Sequence, residues 1–413
     1  MQISEKYNEI IVSEFSTSSV KQKYIASYNG RRFEINESVF ILIDILKNSV
    51  VLSEVTTKYY EKTGVSYTED QIKEIINKYI YPIINVTSKK ISKSFIFSRE
   101  IVSAKVLDMI SRPLKTLFRK VVIISILVLF TACELYFFTN TSFELKFTMI
   151  NFNSFIVILI LLFISSFIHE LGHASACKYL NINQDGIGVG LYLIFPVLYT
   201  NVSNIWNLSR NKRLLVNIAG VYFQFIFLII TIIIFIFTQN NLLKYLIHII
   251  NINILVTLNP FFRFDGYWIV SDILGVPNLR DRSKELLVYS YNKIFKRRMM
   301  KQPYLLQINN KYRIALVIYT IIVNLFFMFF LFYAFPLFCY NFFRHYPTLI
   351  NSVISDLAIG VVPSFTFIQP LLIQTLFLIL FISIISKFIF VSISKIITKK
   401  NESYNTIQRR KQS

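Results

Sequence analysis

Six runs of mostly apolar residues, each near the length that crosses a bilayer, constrain this chain more than any other feature. They cover approximately residues 120–138, 153–173, 214–237, 243–260, 313–338 and 366–390. A helix rises about 1.5 Å per residue, so roughly 20 such residues match a hydrocarbon core about 30 Å thick. Inside lipid the backbone must satisfy its own polar groups, which selects helix. Composition agrees: 54% of the 413 residues are hydrophobic and only 16% are charged, against about a quarter charged in soluble domains. The expected fold class is mainly α: a polytopic membrane helical bundle of about six transmembrane helices, preceded by a small N-terminal α+β winged-helix-like domain. The stretch Gly186 to Tyr199 is apolar but short and contains glycines. It reads as a re-entrant or hairpin segment and not as a span.

The polar N-terminal region has its own pattern. Tyr24 to Tyr28 and Arg32 to Ile35 read as strands around the turn Asn29-Gly30. Asn36 then caps an apolar helical segment, Val39 to Leu46. A second helix covers Ser53 to Lys62 and ends at Gly64. A third starts at Thr68, where Thr68 and Gln71 stand at capping-box spacing, and stops before Pro82. The expected organisation is a domain at 1–90, a basic juxtamembrane linker at 91–119, a transmembrane domain at 120–398 and a basic tail at 399–413. No cleavable signal peptide is visible, so the first apolar run is expected to act as an internal anchor.

The formal net charge is +21. No nucleic-acid-binding motif accompanies it, and nucleic acid is not an expected partner. The positions of the charges point to the lipid bilayer instead. With the N-terminus inside, the outer loops are 139–152, 238–242 and 339–365, and their basic residues are Lys146 and Arg344. The inner segments hold Arg280, Arg282, Lys284, Lys293, Lys296, Arg297, Arg298 and the tail Arg409-Arg410-Lys411. This asymmetry predicts a multi-pass protein of the cell membrane with both termini cytoplasmic. Cys133, Cys177 and Cys339 are widely separated and form neither a disulfide framework nor a thiolate metal motif.

The second run ends in His169-Glu170-Leu171-Gly172-His173, an H-E-x-x-H pattern in a chain with 4 His. Positions i and i+4 of a helix lie one turn apart on one face, so the two imidazoles can share a zinc ion. Glu170 lies between them in angle and can serve as general base toward water. Ionisable groups at the edge of a span are costly, which favours a functional reading. A catalytic zinc takes a third protein ligand. The candidate is Asp265, in Asn259-Pro260-Phe261-Phe262-Arg263-Phe264-Asp265-Gly266 just past the fourth run. It could instead simply cap a turn with Gly266. The charge-derived topology uses no motif, yet it sets His169, His173 and Asp265 at one depth, on the cytoplasmic ends of two parallel spans.

These residues resemble the site-2-protease family of intramembrane zinc metalloproteases. The resemblance covers roughly residues 150 to 275. It implies zinc as cofactor, His169, His173 and Asp265 as ligands, and Glu170 as catalytic base. Phe195-Pro196, Trp206-Asn207-Leu208-Ser209-Arg210 and Ala219-Gly220-Val221-Tyr222-Phe223-Gln224 look like a bacterial subgroup of peptide zinc metalloproteases. Gln224 and Asn259 would then bind substrate, Gln224 by a hydrogen bond to it or to the oxyanion. Either could equally be an interhelical polar contact, as could Asn217 and His248. The N-terminal pattern is similar to the PqqD-like peptide-recognition fold, which binds leader segments by strand addition.

The expected function is hydrolysis of peptide bonds in the maturation of a ribosomally synthesised peptide. The partners would be a peptide or protein substrate, with a peptide-modifying enzyme and an ABC-type exporter acting nearby. Two alternatives stay open: regulatory cleavage of a membrane-anchored protein, and a non-catalytic peptide-binding export or immunity component.

Overall fold

A computed structural model describes residues 5–49, 51–85, 97–142, 152–192, 195–296, 302–363, 368–379, 381–383 and 386. The chain is mainly helical and forms two compact units. The first comprises Met1–Phe143, Ile158–Gly190 and Val197–Phe327; the second comprises Glu144–Val157, Leu191–Pro196 and Met328–Ser413.

The first unit opens with an antiparallel meander, β1 (Ile11–Phe15), β2 (Lys23–Tyr28) and β3 (Arg31–Asn36), in the order β1-β2-β3. Asn29 and Gly30 both take positive φ, 48° and 73°, which is the two-residue turn that matches strand twist. Asn36 caps α1 (Glu37–Lys47) by accepting from the Val39 amide at 3.0 Å. The next helix, α2 (Leu52–Thr63), stops at Gly64 in the left-handed region. Thr68 and Gln71 close a capping box on α3 (Glu69–Ile75). That helix runs through a π turn, Ile76–Ile80, into α4 (Tyr81–Ile84).

One face of the meander, with Val12, Tyr24, Ala26, Tyr28, Phe33 and Ile35, packs on these helices against Leu42, Ile43, Leu46, Val55 and Ile72. Each such aliphatic side chain contributes about 1.5–3 kcal/mol on full burial. The opposite face is covered as well. Phe15 meets Trp206 edge-on, Ser13 donates to Asn207 at 2.9 Å, and Arg32 donates to Asn204 at 2.8 Å. The segment between β1 and β2 carries this docking further: the Ser18 amide donates to the Gly275 carbonyl at 2.8 Å, and the Val20 amide to that of Gln307 at 2.8 Å.

Residues 98–118, expected as linker, fold as strand β4 (Ser98–Val102), helix α5 (Ala104–Leu114) and a 3-10 turn, Lys115–Phe118. The strand pairs antiparallel with β5 (Ile187–Tyr192), in a sheet ordered β4-β5-β6 with β6 (Phe195–Thr200). The segment expected as a hairpin or re-entrant loop is therefore two strands. Leu107 is fully buried on one side of α5, while Val106, Met109 and Ile110 are exposed on the other.

The long helices follow: α6 (Lys120–Asn140), α7 (Phe152–Tyr179), α8 (Arg210–Thr238) and α9 (Asn241–Thr257). After them come α10 (Asp265–Leu274), α11 (Leu279–Ile294), α12 (Asn310–Phe329) and α13 (Phe335–Ala358). Among the described residues four helices are long and apolar enough to cross a membrane: α6, α7, α8 and the run Asn310–Ala358. The fourth expected span is α9, whose 17 residues are shorter. The fifth was expected to end near 338 and give way to a loop, but helix continues to Ala358. Within this continuous run a π turn, Phe330–Ala334, immediately precedes α13 and its Pro336. Within the second unit Phe338 meets Phe377 with ring centroids 4.3 Å apart, and Tyr346 hydrogen-bonds Thr375 at 2.9 Å. The sixth expected span lies partly outside the described residues; those at 368–379 and 381–383 are helical.

Candidate metal centre

The last turns of α7 carry His169, Glu170 and His173, all buried, with 8%, 8% and 7% of their surface exposed. Their ligand atoms lie within 4.8 Å of one another, a group that could hold a metal ion. Burial at this point follows from two glycines. A Cβ on Gly172 would lie 2.3 Å from the Ala219 carbonyl oxygen, so α7 and α8 touch backbone to backbone. A Cβ on Gly220 would lie 2.4 Å from His169 Nε2 and 2.7 Å from His173 Nε2. The absent side chain of Gly220 is the space that the two imidazole edges occupy.

Both rings are held from behind. The Nδ1 of His173 lies 2.8 Å from the Val216 carbonyl oxygen, which only accepts, so this nitrogen carries the proton. His169 Nδ1 lies 3.2 Å from Gln224 Oε1, and Gln224 in turn donates to Asn253 at 3.3 Å. Such outer contacts fix the tautomer and turn each Nε2 lone pair forward. The two Nε2 atoms are 3.1 Å apart. Two N–H groups cannot point at each other across that gap, so at least one of these nitrogens is a bare acceptor.

Asp265, the first residue of α10, completes the group. Its Oδ2 lies 2.9 Å from His169 Nε2 and 3.2 Å from His173 Nε2. The same oxygen is buried and accepts no hydrogen bond among the described residues. Electron-rich atoms crowded this way are unfavourable unless a cation joins them. Zinc bonds of about 2.0–2.1 Å in tetrahedral array put neighbouring ligand atoms about 3.3 Å apart. The triangle of 2.9, 3.1 and 3.2 Å is close to one face of such a tetrahedron. The donor set, two imidazoles and a carboxylate with a further glutamate alongside, fits zinc.

Local sequence explains how Asp265 arrives. Asn259 accepts from the Phe261 amide at 2.8 Å and turns the chain after α9. The Tyr319 hydroxyl donates to the Pro260 carbonyl at 3.1 Å, and Arg280 donates to that of Phe261 at 2.8 Å. A Cβ on Gly266 would lie 2.0 Å from the Leu258 carbonyl oxygen, so the residue after Asp265 must be small.

The structure thus brings His169, Glu170, His173 and Asp265 together. Gln224 reaches the site, with its amide engaged by His169 and Asn253. Asn259 spends its side-chain oxygen on its own loop. Asn217 lies on α8 and donates to Asp272 at 2.8 Å. His248 is buried beside Phe137 and Phe138, with ring centroids 5.0 and 5.9 Å away. Sequence reading did not single out Asp272, Arg213 or Asn253. The signal for Asp272 was its spacing: it stands seven residues, two helical turns, after Asp265 and shares its face.

A helix of crossing length thus carries buried histidines and a glutamate that close on a distant aspartate, a group that could hold a metal ion. The chain is similar to "Putative peptide zinc metalloprotease protein YydH" of Bacillus subtilis (strain 168), with 28% identity over 123 residues. That stretch is 29% of this chain and spans about half, 49%, of the relative's length. No family model and no solved structure matches the chain. The similarity supports a zinc metalloprotease at the level of class.

Proposed function

We propose that this protein is an intramembrane zinc metalloprotease of the site-2-protease type. The observation that carries the reading is the meeting of Asp265 Oδ2 with both imidazole Nε2 atoms, at 2.9 and 3.2 Å, beside the buried Glu170. His169, His173 and Asp265 are the residues that would hold the metal. Zinc, when bound, supplies Lewis acidity, which acidifies water and polarises a peptide carbonyl.

The chain's own groups do the rest. Glu170 is placed to take a proton from water and to return it to the leaving amine. Burial keeps bulk water from competing for this carboxylate. Gln224 holds His169 in its working tautomer and is a positioning residue in this scheme, while Asn259 shapes the loop that presents Asp265.

The front meander is ordered β1-β2-β3, which makes β3 one of its two outer strands. A peptide can add there as a fourth strand, the mode by which a PqqD-like domain would take a leader segment. The substrate we favour is accordingly a ribosomally made peptide presented from the cytoplasm. A peptide-modifying enzyme and an exporter would act before and after the cut. Basic residues clustered between the expected spans support cytoplasmic termini.

Replacement of Glu170 tests the scheme. Glu170→Gln in the purified full-length protein should keep one zinc per chain by elemental analysis. It should slow cleavage of a synthetic peptide pool, followed by mass spectrometry, by roughly 10²–10⁴-fold. Cleavage at the wild-type rate would remove Glu170 from the reaction.

A further inference from the structure

One stripe of α8 faces both ligand-bearing helices. Arg213, Asn217, Gly220 and Gln224 recur at intervals of four, three and four residues, so they line one side of the helix. Gln224 holds His169, and Gly220 makes room for both rings. The remaining two residues address α10. Arg213 Nε donates to Asp272 Oδ1 at 2.6 Å, and Asn217 donates to Asp272 Oδ2 at 2.8 Å, so both carboxylate oxygens are taken. Arg213 and Asp272 are 2% and 7% exposed. The guanidinium also donates to the Leu208 carbonyl at 2.9 Å and, from Nη2, to the Ser16 carbonyl at 3.0 Å. Arg210, one turn before Arg213, donates to the Asp272 carbonyl at 2.9 Å and also bonds that of Ile273. Nothing in the proposed chemistry uses these groups, and a buried ion pair is a costly way merely to join two helices.

We propose that Asp272 is a positioning residue for Asp265: clamped by Arg213 and Asn217, it fixes the register of α10 on α8 so that Asp265 meets the imidazoles, and the Ser16 carbonyl of the front domain completes the clamp. The inference rests on the metalloprotease reading and adds to it a cause for the third ligand's position. Three features single out this function. Asp265 and Asp272 share one face of a short helix. The helix is anchored at Asp272 by charge, whereas Asp265 Oδ2 faces only the two imidazoles, at 2.9 and 3.2 Å. The anchoring helix α8 also seats both histidines, through Val216, Gly220 and Gln224. One rigid element therefore sets all three ligands, and zinc sites tolerate ligand displacements of only about 0.2 Å. The front domain enters this arrangement through Ser16 and through Phe15, whose ring stacks 5.2 Å from the Arg213 guanidinium.

The test uses cobalt(II) titration of the full-length protein, read by visible absorption, with thermal unfolding of the metal-free form measured alongside. Wild type should bind one cobalt with the intense bands of a four-coordinate site. Asp272→Asn should lose about 10–100-fold in cobalt affinity, the range seen when an outer-shell partner of a ligand is removed. Its residual spectrum should move toward that of Asp265→Asn, and Asp272→Glu should recover part of both. Should Asp272→Asn fail to fold, Asn217→Ala removes a single bond and should show the same shift, smaller in size. Wild-type affinity and spectrum in a folded Asp272→Asn or Asn217→Ala would overturn the positioning role. Absence of cobalt uptake by wild type itself would strike the metalloprotease reading, and the clamp with it.

Discussion

Substituting Gly220 by alanine adds one methyl group at the most crowded point of the proposed centre. That methyl would sit 2.4 Å from His169 Nε2, whereas ordinary contact begins at 3.4 Å. The ring must therefore retreat by about 1 Å (3.4 − 2.4), several times the tolerance of about 0.2 Å for zinc ligands. Retreat is opposed by Gln224 and the Val216 carbonyl behind the rings. The fold itself should survive. Overpacking costs typically 1–3 kcal/mol, offset by about 1 kcal/mol because alanine favours a helix over glycine. The expected outcome is a folded protein with a melting temperature within a few degrees of the metal-free wild type and little or no bound zinc. Elemental analysis together with a melting curve in detergent decides it. A Gly220→Ala protein that holds one zinc with wild-type affinity would refute the assignment of this gap to the metal edge of the histidines.

Two further outcomes concern regions away from the centre. Thr68→Ala opens the capping box of α3 and should cost the front domain about 0.5–2 kcal/mol. Hydrogen exchange should show faster opening of α3 with no change in the buried turns of α7. Asp108, at the surface on α5, is held below its ordinary carboxylate range first by a hydrogen bond from Lys178 and then by Arg112. A depressed acid stabilises the fold fully above its unfolded value, near 4, and loses that contribution as pH falls through the lower folded value. Asp108→Asn should therefore flatten the decline of melting temperature below about pH 4, in a series of melts from pH 6 downward; an unchanged slope would dismiss the pair.

The parts of this molecule that sequence made legible are those whose signal is local. His169 and His173 could be read because helical period alone sets them on one face. Asn36, Gly64 and Thr68 announced helix ends because caps act within three residues. Asp265 was singled out by a longer route, through the expected sidedness of basic loops, and its Oδ2 lies 2.9 and 3.2 Å from the two imidazoles. What escaped depended on partners far along the chain. Asp272 finds Arg213 and Asn217 at separations of 59 and 55 residues, so no window around it reveals the pairing. Strand β1 was missed because it carries no turn signal before Ser18 and pairs only once β2 exists. Residues 98–118 looked like a charged tether because Lys105, Arg112 and Lys115 mask the spacing of Leu107 and Ser111, the two buried positions of α5. Span counting ended the fifth run near 338, whereas helix continues to Ala358 with Pro347 inside it.

The bare contact at Gly172 has a consequence for traffic. With the Ala219 carbonyl pressed against α7, no slot exists between these two helices for an extended chain, and their parting would dismantle the imidazole pair. On the proposed proteolytic reading a substrate would come from the other flank, where Thr200 at the end of β6 donates to the Glu170 carbonyl at 3.4 Å and the Asn259–Phe264 turn leads to Asp265. Any motion that admitted a chain would then fall to that strand and that turn, with the glycine contact between the two helices left closed.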